Sequence, residues 1–485
     1  MNLAIPDKIS NYIGGSLQAP LGLRYLDNIN PATGEVYSQT PDSDITDVEE
    51  AVGAARGALP GWSSTPVETR FRILNRIADL IEENLDVLAL AETTDNGKPL
   101  WLSKSVDIPR ASSNFRFFAT GIMHFASESH QMEHAAINYT LRQPLGVVGC
   151  ISPWNLPLYL FSWKIAPAIA AGNCVVAKPS EVTPMTSYLL SQICIEAGLP
   201  RGVLNIVHGT GPGCGSAIVA HPEIKAISFT GSTRAGREIA SVAAPMFKKL
   251  SLELGGKNPN IIFADCDWDK MMRTTLRSSF SNQGEICLCG SRILIEESIY
   301  EKFKHEFVQR AKKLKVGDPL LDDSRQGAIV SKVHYDKVMS CIKLAEDEGG
   351  TVLAGGTSVI VPGRCEGGYF IEPTVIEGLE RHCRTNMEEI FGPVVTLQPF
   401  KTEEEALLLA NTSEYGLSAT IWTNDVSRAH RVASQVQSGI IWVNCWLLRD
   451  LRTPFGGMKN SGTGREGGWD ALKFFTEPKN VCIEL

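Results

Sequence analysis

The feature that most constrains the fold of this 485-residue chain is an alternation of short apolar segments and helical segments that begins near residue 145. The apolar segments lie at 147–151, 174–177, 204–207, 226–229 and 250–254, and the segments with helical spacing lie at 162–171, 184–197, 213–220 and 233–243. Such alternation is typical of a doubly wound parallel sheet that binds ligands at the carboxyl ends of its strands. We therefore predict an α/β fold with a Rossmann-type sheet.

A second alternating region extends to about residue 443, and small strands and helices precede the first one. The second region contains predicted strands at 260–263, 351–353, 394–399 and 440–443 and predicted helices at 269–281, 298–314, 331–348 and 402–411. Short strands are predicted within 1–45, followed by helices at 44–59, 67–95 and 100–126. Because one core rarely grows to this size, the chain is expected to form two or three domains, the second of them also α/β.

Composition excludes several classes of protein. The net charge is −8 without a long run of like charges, which argues against nucleic acid as the main partner. No apolar segment approaches the length of a membrane span, and residues 1–11 do not resemble a signal or transit peptide. Twelve scattered cysteines without framework spacing are typical of reduced thiols. We predict a cytoplasmic protein without a membrane partner.

Cys287 is the candidate nucleophile. It lies in the turn 282–292, between a predicted helix and an apolar segment. Most cysteines are buried apolar residues, but Gly284 and the polar residues around it are typical of a functional loop. The pair formed with Cys289 fits no zinc-binding spacing, so no metal site is predicted.

Asn155 and Glu253 have the properties that a cysteine nucleophile needs nearby. Two prolines fix the loop around Asn155, whose amide is a candidate oxyanion donor, although capping of its own turn is the commoner role. Glu253 ends an apolar strand, where burial would raise its pKa towards the range of a general base. A salt bridge to Lys257 is the structural alternative for Glu253.

Two strand ends carry features of a dinucleotide site. The segment 229–232 passes through glycine into a helix whose N-terminal amides are suited to a pyrophosphate, although it lacks the G-x-G-x-x-G spacing. Lys178 and Glu181 follow another strand and offer a cation and a carboxylate to a ribose, with a surface ion pair as the alternative. Two such features at one sheet favour a dinucleotide.

Taken together, these segments resemble the NAD(P)-dependent aldehyde dehydrogenase superfamily. Segment 252–259 resembles the glutamate signature of that family, and 284–287 resembles its cysteine signature. Other segments match in family order, so that the resemblance covers nearly the whole chain: 153–155, 178–181, 229–232, 388–393 and 454–457.

The resemblance implies a mechanism and a cofactor. Cys287 would attack an aldehyde, with the oxyanion held by Asn155 and the Cys287 backbone N–H; hydride would pass to the nicotinamide, and Glu253 would activate the water that hydrolyses the thioester. NAD is expected rather than NADP, because Glu181 would repel a 2′-phosphate. The resemblance assigns cofactor contacts to Trp154, Lys178, Glu181, Gly211, Gly231, Ser232, Glu389 and Phe391.

The resemblance also implies a domain division and an oligomer. Residues 1–121 and 143–252 would form the NAD-binding domain, and 253–450 the catalytic domain. Residues 122–142 and 470–485 would form an oligomerisation arm of a homotetramer or homodimer. The short apolar segment 480–485 is expected to pair with a sheet edge in another subunit.

Two arginines bear on the substrate. Segments 107–110 and 444–452 resemble the branch that oxidises 2-aminomuconate and 2-hydroxymuconate semialdehydes, in which Arg110 and Arg449 would bind the substrate carboxylate. The alternative is that Asp107 and Asp450 neutralise these arginines locally. We predict oxidation of the small anionic aldehyde 2-aminomuconate 6-semialdehyde. Alternatives are 2-hydroxymuconate semialdehyde, a broad or retinal-type specificity, and a non-catalytic, crystallin-like relative.

Overall fold

The computed structural model of the protein describes residues 3–133 and 136–484. The strands are β1 Asn11–Ile13, β2 Ser16–Gln18, β3 Tyr25–Asn30, β4 Glu35–Pro41, β5 Ser129–Met132, β6 Ala136–Pro144, β7 Val147–Ile151, β8 Cys174–Lys178, β9 Leu204–Ile206, β10 Ile224–Thr230, β11 Lys249–Glu253, β12 Pro259–Ile262, β13 Arg292–Glu296, β14 Thr351–Ala354, β15 Ser358–Val359, β16 Phe370–Ile371, β17 Thr374–Glu377, β18 Val394–Phe400, β19 Tyr415–Gly416, β20 Ser418–Trp422, β21 Ile440–Val443, β22 Met458–Lys459, β23 Gly462–Thr463 and β24 Thr476–Glu484. The helices are α1 Ile45–Ser63, α2 Val67–Glu83, α3 Leu85–Asn96, α4 Leu100–Leu102, α5 Ile108–Met123, α6 Pro157–Ala170, α7 Met185–Glu196, α8 Ser216–Ala220, α9 Thr233–Ala243, α10 Trp268–Phe280, α11 Tyr300–Ala311, α12 Lys332–Asp347, α13 Arg384–Met387, α14 Glu403–Asn411, α15 Val426–Gln435 and α16 Gly468–Phe474.

The first sheet is doubly wound, as predicted. Its strands lie in the order β2-β1-β9-β8-β7-β10-β11-β23, and the five from β9 to β11 are parallel. The chain passes from β7 outward to β9, then returns to β10 on the other side of β7. The strand order therefore reverses between β7 and β10, which is where ligands bind in open α/β sheets.

The second sheet has the order β14-β17-β18-β13-β12-β20-β21, with β14 as an antiparallel edge to parallel neighbours. This confirms the second α/β unit, although the sequence pattern does not predict β17 or β20. Both are short, and each has only two or three successive apolar residues beside polar ones, so they lack the long apolar pattern of a buried strand.

One predicted helix is interrupted. The helix expected over 67–95 ends at Glu83, and α3 begins at Leu85, so the prediction is wrong at Asn84. The Asn84 side chain donates a hydrogen bond to the Leu80 carbonyl, 2.8 Å away. Asparagine thereby competes with the backbone for the acceptor that helix continuation requires.

A three-stranded sheet, β24-β6-β5, extends from the first unit. The C-terminal strand begins at Thr476, earlier than the predicted 480, and pairs antiparallel with β6 of the same chain along its length. The last residue of the predicted segment, Leu485, lies outside the described residues. None of the helices in the described ranges has the length and apolar character needed to cross a bilayer.

Candidate active site

Two hollows meet at Cys287. A cleft of about 240 Å³ opens between the carboxyl ends of β7 and β10, and a cavity of about 460 Å³ lies beside it. Cys287 lines both, as does Leu254, which follows the strand carrying Glu253. The geometry places the half-buried cysteine where a molecule in the cleft and a molecule in the cavity can both reach it.

The turn before Cys287 has an unusual backbone. Asn282, Gln283 and Gly284 are successive residues with positive φ, at 51°, 54° and 72°. A Cβ on Gly284 would lie 2.1 Å from the Gly392 carbonyl oxygen, so only glycine fits. Side-chain hydrogen bonds hold the two non-glycine residues, because Asn282 donates to the Asn155 carbonyl at 3.0 Å and Gln283 to the Ala328 carbonyl at 3.1 Å. The strain is therefore maintained by contacts from neighbouring loops, as is common at functional sites.

The thiol of Cys287 is held in its neutral form. Burial raises its pKa well above the ordinary value, and the carboxyl groups of Glu389 and Glu253 add to the shift. The neighbouring Cys289 is buried, and its carbonyl accepts a hydrogen bond from Asn258 Nδ2 at 2.9 Å. Cys287 is therefore the member of the pair that faces both hollows, and it needs a proton acceptor to become a nucleophile.

Asn155 reaches across to the cysteine loop. Its Nδ2 donates to the Glu285 carbonyl at 2.9 Å, and its side chain borders the cleft. The expected alternative, that the side chain caps its own turn, is wrong, since α6 starts without a side-chain cap. The amide nitrogen carries a second hydrogen, which is available to an oxyanion at Cys287.

A buried lysine, missed by the sequence analysis, holds the Asn155 loop. Lys98 Nζ donates to the Asn155 carbonyl at 3.0 Å and pairs with Asp107 at 2.5 Å. All three residues are buried. Asp107 is consequently committed to Lys98 and does not neutralise Arg110.

Glu253 is a buried carboxyl without a partner. It lines the large cavity, is 3% exposed, and neither of its oxygens has a hydrogen-bond partner among the described residues. Lys257 forms no ion pair with it, contrary to the structural alternative. A Cβ on Gly456 would lie 2.8 Å from Glu253 Oε1, so this glycine makes room for the carboxyl group. Burial raises the pKa of Glu253 well above its ordinary value, as a general base requires.

A buried ion pair behind Glu253 was also missed. Lys164 Nζ lies 2.7 Å from Glu466 Oε1, and Ser228 Oγ donates to the same oxygen at 3.2 Å. The Glu466 charge raises the pKa of Glu253 and the Lys164 charge lowers it, both less than burial does. A single lysine in the otherwise apolar α6 is a sequence signal for a buried pair, but Glu466 lies 302 residues away and carries no such signal.

Arg110 and Arg449 both line the cavity that contains Cys287. Arg110 Nε and Nη2 are buried and have no hydrogen-bond partner in the described part of the chain. Its guanidinium lies 5.4 Å from the Tyr159 ring centroid, and burial lowers its pKa. Arg449 donates to the Tyr159 hydroxyl at 2.8 Å and lies 4.0 Å from the Phe455 ring centroid.

Asp450 does not neutralise Arg449. It pairs instead with Arg452, at 2.5 Å on the surface. Neither aspartate thus forms an ion pair with Arg110 or Arg449, although the charge of Asp450 still raises the pKa of Arg110 against the effect of burial. The cavity wall presents two guanidinium groups, and neither forms a salt bridge with a described residue.

The cleft is lined by residues predicted to contact the cofactor. The Trp154 ring lies 5.3 Å from that of Phe391, a residue with φ of 65°. Glu389 Oε1 accepts a hydrogen bond from the Gly256 backbone N–H at 2.9 Å. His334, which was not predicted, borders the same cleft and contacts the Phe391 carbonyl oxygen through Nε2 at 2.6 Å. Burial lowers the pKa of His334 to about 4, so the imidazole is neutral.

Gly231 and Ser232 continue the cleft at the end of β10. A Cβ on Gly231 would lie 2.4 Å from the Phe229 ring, so glycine is required there. Ser232 Oγ caps α9 by accepting from the Ala235 N–H. The other N-terminal amides of α9 remain suited to an anion.

Lys178, Glu181 and Gly211 lie together beyond the next strand end. Lys178 Nζ is 3.0 Å from Glu181 Oε2. Burial opposes ionisation of Glu181, but Lys178 and the backbone N–H groups of Glu181 and Gly211 outweigh it and hold its pKa below the ordinary value. The carboxylate is therefore ionised and is suited to accept hydrogen bonds from hydroxyl groups.

Comparisons with known proteins show the family to which the chain belongs. The family model described as the aldehyde dehydrogenase family matches residues 20–481. The chain is 51% identical to the 2-aminomuconic semialdehyde dehydrogenase of Danio rerio, with 98% of each covered, and 46% identical to the 2-hydroxymuconic semialdehyde dehydrogenase of Pseudomonas sp. (strain CF600), with 99% of this chain and 100% of the relative covered. The NAD⁺ complex of an aldehyde dehydrogenase from Bacillus cereus superimposes with a TM-score of 0.97 at 37% identity, covering 99% of this chain and 97% of that one. The chain belongs to the aldehyde dehydrogenase family.

Proposed function

We propose that the protein oxidises an aldehyde that also carries a carboxylate, with 2-aminomuconate 6-semialdehyde as the substrate and NAD as the cofactor. The observation that carries the proposal is the pair Arg110 and Arg449, which line the same cavity as Cys287. Neither has a carboxylate partner among the described residues. A planar guanidinium binds a carboxylate through two parallel hydrogen bonds, so the pair is suited to the far end of an anionic aldehyde.

The names of relatives support this substrate class. Proteins named 2-aminomuconic semialdehyde dehydrogenase share 51% of aligned residues with the chain. The 2-hydroxymuconic relative, at 46%, keeps that semialdehyde as the alternative substrate, since it offers the same carboxylate and aldehyde. A purely structural, crystallin-like role is not supported, because Cys287, Glu253 and Asn155 are all present around the cavity and cleft.

Three residues carry the proposed chemistry. Cys287 loses its proton to solvent, its thiolate attacks the aldehyde carbon, and Asn155 Nδ2 with the Cys287 backbone N–H stabilises the resulting oxyanion. Oxidation of this thiohemiacetal leaves a thioester on Cys287. Glu253 then removes a proton from water, and the hydroxide attacks the thioester to release the carboxylic acid and the free cysteine.

The cleft residues fit a dinucleotide. Gly231 keeps the cleft open next to the N-terminus of α9, and the ionised Glu181 beside Lys178 suits the hydroxyl groups of a ribose. A negative charge there disfavours a 2′-phosphate, which favours NAD over NADP. Bound NAD supplies the hydride acceptor for the thiohemiacetal. Trp154, Glu389 and Phe391 would hold its nicotinamide end, and Gly211 and Ser232 would lie along the rest.

The assembly, domain division and compartment remain part of the proposal. Pairing of β24 with β6 supports an arm formed by 122–142 and the C-terminal segment of 470–485, and we infer a homodimer or homotetramer built through it. The NAD-binding domain would comprise 1–121 and 143–252, and the catalytic domain 253–450. Twelve scattered cysteines support a cytoplasmic location.

The direct test compares kcat/KM for 2-hydroxymuconate semialdehyde, a more tractable analogue, with that for an uncharged aldehyde of similar length. We expect Arg110→Ala and Arg449→Ala each to lose about 1.5 to 3 kcal/mol of transition-state stabilisation with the charged aldehyde only. Arg452→Ala is the matched control, because Arg452 pairs with Asp450 outside the cavity. Equal losses for both aldehydes would show that the two arginines are structural and would refute the anionic substrate.

A further inference from the structure

A third hollow, of about 170 Å³, adjoins the substrate cavity and is lined by three arginines: Arg273, Arg277 and Arg325. No aspartate or glutamate is among its lining residues within the described part of the chain. We call this hollow the vestibule. Its concentration of positive charge contrasts with the net charge of −8 of the whole chain.

The three guanidinium groups are not used in ion pairs. None of them forms a salt bridge in the portion of the chain that the structure covers, whereas several other exposed arginines, such as Arg384, do. Arg277 donates to the Trp446 carbonyl at 3.1 Å and lies 5.6 Å from the Trp446 ring. Arg325 lies 5.8 Å from the ring of Trp101. Aromatic contacts thus orient two of the arginines without neutralising them.

The vestibule lies next to the cavity of Cys287, and the two share part of their lining. Trp101, Leu102, Arg277 and Ser281 line both hollows. Three arginines without a salt bridge to a described residue therefore lie beside the cavity that contains Arg110 and Arg449. Charges of one sign at the mouth of a low-dielectric cavity focus the field and raise the local concentration of oppositely charged ligands.

We propose that the vestibule is a second carboxylate-binding site, which captures the anionic aldehyde at the surface and directs it towards Cys287. This inference rests on the proposed function, since it requires a substrate with a carboxylate. The capture is electrostatic and long-ranged, so it is screened by salt with a Debye length of about 8 Å at physiological ionic strength. Arg110 and Arg449, inside the cavity, bind the same carboxylate later and with closer geometry.

The test uses the double variant Arg273→Gln/Arg325→Gln, which leaves Arg277 and its contact with the cavity wall intact. The measured quantity is the ratio of kcat/KM for 2-hydroxymuconate semialdehyde to kcat/KM for an uncharged aldehyde. This ratio is determined at low and at high potassium chloride concentration. We expect this ratio to fall about 3- to 10-fold in the variant at low salt, and its salt dependence to flatten. A variant with the wild-type ratio and wild-type salt dependence would overturn the proposal.

A charge-matched control is Lys225→Gln/Lys473→Gln, which removes two exposed positive charges that line neither hollow. An equal fall in the ratio for this control would also overturn the proposal, because net charge alone would then explain the effect. Failure of the proposed function is distinguishable. In that case Arg110→Ala and Arg449→Ala show no selective loss, whereas a failure of the vestibule alone leaves their selective losses in place.

Discussion

The cleft and the cavity that meet at Cys287 differ in how their polar groups are paired. On the cofactor side, Glu389 accepts from a backbone amide in the cleft, and Glu181 pairs with Lys178 beyond the neighbouring strand end. In the cavity, the oxygens of Glu253 and two nitrogens of Arg110 lack hydrogen-bond partners among the described residues. The acidic groups on the cofactor side are thus paired before a ligand arrives, whereas the cavity contains a carboxyl group and a guanidinium group that are free to bind reacting molecules.

This difference has an energetic meaning. A buried polar group without a partner costs about 1 to 3 kcal/mol, and more if it is charged. The same burial that carries this cost at Glu253 raises the pKa of its carboxyl group, and a base for water activation requires a raised pKa. Unpaired groups in a cavity are therefore a stronger indication of chemistry than the paired groups of the cleft.

The largest effect should follow from Cys287→Ala, which removes the proposed nucleophile, a residue that lines both the cleft and the cavity. We expect turnover to fall by about 10⁴-fold or more, because the covalent step is lost. NAD binding, measured by titration of protein fluorescence, should persist, since the proposed cofactor contacts of Trp154, Glu181 and Glu389 do not depend on the thiol. Cys289→Ala is the control, and retained turnover in Cys287→Ala would move the nucleophile elsewhere.

Glu253→Gln should have the next largest effect. Loss of a general base typically slows a step by about 10²- to 10⁴-fold, and here the slowed step is hydrolysis of the thioester. A burst of NADH close to one equivalent per site should precede slow turnover, and intact-protein mass spectrometry should detect the acyl group on Cys287. Absence of a trapped acyl-enzyme together with slow turnover would show that Glu253 is not the deacylating base.

A smaller effect is predicted for Glu466→Gln, which changes the charge behind Glu253. Burial raises the pKa of Glu253 most, and the negative charge of Glu466 raises it further, against the opposing effect of Lys164. Because the base must be ionised, kcat falls as pH falls through this pKa. Removal of the Glu466 charge lowers the pKa, so activity should persist to lower pH in the variant.

The pH profile of kcat is the measurement for this prediction. Glu466→Asp keeps the charge and is the matched control, with an acid limb close to that of the wild type. An unmoved or upward-shifted limb in Glu466→Gln would show that Glu466 does not act on Glu253 through its charge.

Sequence patterns predicted those parts of the site that are encoded locally. The strand–helix alternation predicted the doubly wound sheet. A polar turn that contains a glycine singled out Cys287, and the position at the end of an apolar strand singled out Glu253. Partners distant in the chain were not predictable. Asp107 pairs with Lys98 rather than with Arg110, and Lys164 pairs with Glu466, which lies 302 residues away in the sequence.

The central claim is that Arg110 and Arg449 await a carboxylate, and binding in the absence of chemistry tests it most directly. In the Cys287→Ala background, calorimetry would compare an unsaturated six-carbon monocarboxylate with its uncharged amide. We predict that Arg110→Ala and Arg449→Ala each weaken carboxylate binding about 10- to 100-fold, with amide binding and the Arg452→Ala control unchanged. Equal affinities of the carboxylate for parent and arginine variants would contradict the account.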